Sequence, residues 1–197
     1  VIVVVGRPGL DANDELDRPA GRIALAAAQA AAHVELVGSI GDDPAGDRVV
    51  LALGQAGVGH AALLRDPAAV TPRAAGPAGP VPRLDGNDVE LGLAYLADYR
   101  VLVVAEPLGE GAIEAAAAAA AFQSAALVVL VAAGASAPAG LPDTATVLDM
   151  PAEGNGAFSL LLGHYAAALD AGSDAAAAWQ VALAASGWQP SADEGTE

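Results

Sequence analysis

The chain has 197 residues, enough for one domain with a buried core, and is 54% hydrophobic with only 4% aromatic side chains. Its 24 acidic and 8 basic side chains leave a net charge of −16, which disfavours nucleic acid and anionic membrane surfaces as partners. Lysine and cysteine do not occur, which removes a Walker-type lysine, Schiff-base chemistry, a thiolate nucleophile and cysteine-ligated zinc.

The chain opens on "VIVVV" (1–5), a continuous apolar run expected of a strand buried on both faces. No basic n-region precedes it, so a signal peptide is not expected and a cytoplasmic address fits. A glycine turn from Gly6 to Asp11 follows, then the helix-forming run "IALAAAQAAA" (23–32) and a second strand, "VELVG" (34–38). The stretch "VGSIGDDPAGDRVV" (37–50) crowds three aspartates into one turn. Asp42, Asp43 and Asp47 are hard oxygen donors of the kind Mg²⁺ takes. The order Asp43–Pro44 equally suits a helix N-cap and first position, with Asp47 favourable to the helix dipole, and this structural reading is preferred. No metal site is assigned.

That helix is expected to end at Gly57, followed by a third strand, "AALLR" (61–65), and a Pro/Gly/Ala-rich loop over 66–86. "NDVELGLAYLADY" reads as a helix with Asn87 as its cap. "RVLVVAE" (100–106) reads as a strand whose final Glu106 is expected to cap the next helix rather than meet a ligand. "GEGAIEAAAAAAAF" is helical, and "ALVVLVAA" (126–133) and "ATVLDM" (145–150) are strands. Glu114 and Gln123 interrupt the longest apolar stretch (112–131), so no membrane span is expected. Two helices, 156–172 and 173–187, close a domain over 1–187, and an acidic, disordered tail is expected over 188–197. Phe158, Tyr165, Trp179 and Trp188 fall on or beside those helices, as core or interface residues. His33, His60 and His164 share no metal spacing, and there is no G-x-S-x-G elbow to support a hydrolase.

Strands alternating with helices imply an α/β three-layer sandwich with a mostly parallel sheet. Ligands of such sheets bind beyond the carboxyl ends of the strands. The turns to watch are therefore 6–11, 38–43, 106–108 and 132–136.

Several motifs occur together in a familiar order. "VVVGRPGLD", then "RPAGRIALAAAQAAAHVELVGSIGDDPAGDRVVLALGQAGV", then "LRDPAAVTP" and "YRVLVVAEPL" cover about the first two-thirds of the chain. They resemble the ribokinase-like (PfkB-type) carbohydrate kinases. That resemblance implies a sugar-like ligand, with ATP and Mg²⁺ as cofactors if the protein is active. It places Asp11, Arg22, Asp42 and Asp43 at the substrate end, Arg22 standing where the family has a substrate-contacting asparagine. Asp11 is left open between a polyol contact and a plain turn aspartate.

Two departures weaken the expectation of catalysis. Only a few residues separate Asp11 from "RPAG", where family members insert a β lid, so the lid is expected to be absent. The family's Asp-Thr-x-Gly-Ala-Gly-Asp turn is matched only by "DMPAEGNGAF". Gly154, Asn155 and Gly156 then form the candidate anion or nucleotide turn, and the base position falls at Asn155 or Gly156, neither of which takes up a proton. On another alignment that turn is deleted altogether. The expectation is a degenerate sugar kinase, weakly active or inactive, or alternatively a non-catalytic small-molecule-binding or interaction module. Without a lid, any homodimer would use another surface, such as the terminal helices.

Overall fold

The computed structural model describes residues 1–74, 79–151 and 156–188. Its first half runs β1 (Ile2–Val5), β2 (Gly9–Leu10), β3 (Leu16–Asp17), α1 (Arg18–Gln29), β4 (Val34–Gly41), α2 (Pro44–Gln55) and β5 (Gly59–Asp66). Then come α3 (Gly86–Ala94), β6 (Val101–Val104), α4 (Glu110–Gln123) and β7 (Ala126–Val131). The last elements are β8 (Thr146–Asp149), α5 (Gly156–Asp170) and α6 (Ala175–Ser186). No helix among the described residues is long and apolar enough to cross a membrane.

Six strands pair in parallel in the order β5-β4-β1-β6-β7-β8. The apolar runs explain who sits in the middle. All four residues of β1 are fully buried, as a central parallel strand requires. Alternation along β1 divides the core in two. Ile2 and Val4 join Val103 and Leu130 beneath α1, α2, α5 and α6. Val3 and Val5 join Leu102, Val104 and Val129 beneath α3 and α4. The result is the three-layer α/β sandwich expected from the sequence.

Several boundaries differ from expectation, each for a local reason. Helix α1 starts at Arg18, five residues early, because Asp17 takes the N-cap position and Pro19 the first turn. Strand β4 continues to Gly41 because Ser39, Ile40 and Gly41 find partners in Leu64, Arg65 and Asp66. Asp85, not Asn87, caps α3, through a capping box with Asp88. The turn after β1 contains a two-residue-per-strand antiparallel ribbon, β2–β3. Between Asp11 and α1, where the lid is expected to be absent, the described chain carries only this ribbon.

The aromatic residues of the closing helices pack on one another. Tyr165 meets Trp179 edge-on at 5.5 Å, Trp179 meets Trp188 at 6.4 Å, and Phe158 meets Trp188 at 5.8 Å. Trp188, the first residue of the expected tail, thus packs against α5 and α6. The remainder of that tail, 189–197, lies outside the described residues.

Candidate functional site

Because every strand of the main sheet points the same way, the segments after them share one edge. The chain passes from β1 outward to β4 and β5, then returns to β6 on the other side of β1. That reversal opens the crevice where such sheets take ligands. Here it is spanned by an ion pair. Glu106, just beyond β6, accepts from the Arg7 backbone N–H at 2.6 Å and from Arg7 Nε at 2.9 Å. Arg7 Nη1 also reaches the Pro82 carbonyl at 3.4 Å. Glu106 therefore caps no helix; Gly109 holds the N-cap of α4.

Next along the edge, Asp43 caps α2 by accepting from the Gly46 N–H at 2.7 Å. Its second oxygen accepts from the Thr71 N–H at 2.8 Å. Thr71 Oγ1 in turn accepts from the Gly41 N–H at 2.9 Å, so this turn is stitched to the long loop. Burial pushes the Asp43 pKa up, but the N–H groups of Thr71 and Gly46 together outweigh it and hold the carboxyl below its ordinary value. The stability this adds is present above the unfolded-state pKa, about 4, and is lost as pH falls through the lower folded value. Asp43→Ala is expected to cost about 2 kcal/mol at neutral pH. Urea melts should show that difference shrinking below about pH 4. Asp42 and Asp47 face outward and share Arg65, at 3.5 Å and 2.7 Å.

Asp11 commits one carboxylate oxygen to its own turn, while Oδ2 meets, among the described residues, only Asn13 Nδ2 at 3.4 Å. Oδ1 accepts from the backbone N–H of Asn13 at 2.7 Å and of Glu15 at 2.9 Å. The Glu15 N–H is the main reason its pKa is lowered. The ribbon that follows is tied to the long loop by Leu10 pairing with Arg73. Asp14 holds both Arg48 and Arg73.

Arg22 pairs with Asp17 at 2.7 Å. Its guanidinium also lies against Gly156, where a Cβ would run into Nη1, so Arg22 stands at the start of α5. Gly156, the first residue of α5, thus lies beside the Arg22–Asp17 ion pair. Gly154 and Asn155 lie outside the described residues.

The structure brings Asp11, Arg22, Asp42, Asp43 and Gly156 to one edge of the sheet. Sequence reasoning missed Arg7, Arg18, Thr71 and Arg73 there, since nothing local to them signals a site. The histidines lie apart, with His33 on Glu35 and His60 on the Val58 carbonyl. Among the described residues no three His, Cys, Asp or Glu side chains are grouped to hold a metal ion. A larger cavity, about 820 Å³, runs between α3 and α4, but its charged lining groups are Glu90 and Glu114. It is ill suited to phosphate.

No family model and no curated protein matches the sequence. Solved structures do match. An E. coli protein assigned as ribokinase II, in complex with ATP and Mg²⁺, superposes with a TM-score of 0.66 at 13% identity, over 94% of this chain and 91% of that one. The ribokinase of Arabidopsis thaliana complexed with ribose and ATP gives 0.65 at 13%, over 94% and 90%. That of Cryptococcus neoformans in complex with ADP gives 0.64 at 18%, over 94% and 92%. The chain has the ribokinase-like fold. At these identities the likeness concerns architecture, which hosts chemistry without specifying it.

Proposed function

We propose that this is a ribokinase-like protein that binds a small ligand at the carboxyl edge of its sheet and transfers phosphate weakly or not at all. The observation that carries this reading is how the edge carboxylates are used. Asp11 and Asp43 accept from backbone N–H groups, and Glu106 accepts from Arg7. A general base must face the hydroxyl it deprotonates. Asp43 gives both oxygens to the protein's own donors, and Asp11 and Glu106 each give Oδ1 or Oε1 to two of them.

Phosphoryl transfer also needs charge neutralisation by metal and cations. Asp42 and Asp47 are paired with Arg65, and Asp43 is engaged by two N–H groups, so the aspartate turn does not fit a Mg²⁺ ion. At the start of α5 Arg22 is likewise already paired, with Asp17 at 2.7 Å. Asn155 or Gly156 at the expected base position adds no proton acceptor.

The test is ADP production from ATP and Mg²⁺ over a panel of pentoses, hexoses and nucleosides. Rates at or barely above the no-protein background are expected throughout. Turnover that a single Asp or Glu substitution abolishes would overturn the proposal and restore the sugar kinase.

A further inference from the structure

Beside the switch-point crevice lies a smaller cavity of about 260 Å³, between the β2–β3 ribbon, the start of α1 and the long loop. Its polar side comes from Arg18 and Arg73, its apolar side from Leu10, Val70 and Val81. Arg18 has no carboxylate or other hydrogen-bond partner among the described residues. The carboxylate nearest in sequence, Asp17, lines the same cavity but is held by Arg22 at 2.7 Å. Arg73 binds Asp14 through Nη2, yet its Nε is buried without an acceptor.

Two further features shape the space. Gly9 passes so close to the long loop that a Cβ there would lie 2.5 Å from the Pro72 carbonyl oxygen and 3.0 Å from Arg18 Cγ. The ribbon thus clamps the Arg18 stem against the loop. Val81 is 53% exposed, one of the few large apolar side chains on this surface. The cavity is smaller than those that enclose drug-sized ligands.

Building on the ligand-binding reading above, we infer that this cavity takes an oxyanion, phosphate or carboxylate, on a short apolar body rather than a neutral polyol. Arg18 supplies the free guanidinium, and Val70 and Val81 the wall for the apolar part. A polyol would leave the Arg18 charge unanswered and would face valines with its hydroxyls.

The test titrates the full chain with butyl phosphate, butyrate and ribose by calorimetry, with no nucleotide present. Butyl phosphate or butyrate is expected to bind, the two arms showing which oxyanion is preferred, and ribose at equal concentration is not. Arg18→Ala should weaken that binding by roughly tenfold. Arg18 is exposed, so the variant should fold. Arg100→Ala, at the opposite edge, should leave binding unchanged. The inference falls if neither anion binds, if ribose binds as well, or if Arg18→Ala has no more effect than Arg100→Ala. Since no ATP is present, such a failure is separate from the turnover result.

Discussion

Gly38→Ala is expected to destabilise the protein by about 3 kcal/mol, at the upper end of ordinary overpacking. Gly38 lies in β4, beside β1 in the middle of the sheet. A Cβ there would overlap the Gly6 carbonyl oxygen and come within 3.2 Å of the Gly6 carbonyl carbon. These are backbone atoms, so no rotamer change relieves the clash. The exit of β1 would have to move, and Gly6 is anchored to the Val37 carbonyl by its N–H at 3.0 Å. For a domain of this size the loss corresponds to a fall in Tm of roughly 6 to 12 °C. Gly109→Ala is the comparison, because a Cβ at that N-cap meets nothing within 4 Å. It should change stability by no more than about 1 kcal/mol, the scale of an N-cap exchange. Equal melts for the two variants would show that β1 leaves the sheet by another path.

That clash also shows why the fold was more legible than the site. Continuous apolar runs mark central parallel strands wherever they occur, so β1, β6 and β7 could be read directly. The Asp43–Pro44 pair marked the start of α2 for an equally local reason. The same signal, Asp17 with Pro19 nearby, stands at the start of α1, but the alanine-rich run that carries the helical pattern begins only at Ile23. Strands β2 and β3 have two residues each, too few for any period to show. The site depends on separations that no local pattern records. Arg7 and Glu106 are 99 residues apart. Asp43 reaches Thr71 across 28 residues, and Asp14 reaches Arg73 across 59. Seven of the eight arginines, all but Arg100, come from segments at or near the carboxyl edge, yet the net charge of −16 suggests no cationic locale. Only the parallel topology gathers them.

Glu106→Ala should cost about 2 kcal/mol, less than the loss of one partner from a fully buried ion pair. The Arg7 and Glu106 side chains are 22% and 15% exposed, so water screens them in part. Removing the carboxylate leaves the Arg7 N–H without its acceptor and the guanidinium with only the Pro82 carbonyl at 3.4 Å. Glu106→Gln keeps an oxygen for that N–H and should cost roughly half as much, because only the charge is lost. A double-mutant cycle with Arg7→Ala should return a coupling of about 1 to 2 kcal/mol. The contrary outcome is equally informative. If Glu106→Ala leaves the urea midpoint in place while abolishing binding of a neutral sugar, the carboxylate serves a ligand in solution and not Arg7. The crevice between β1 and β6 would then be an open substrate site, and the occupied carboxylates would no longer argue against catalysis.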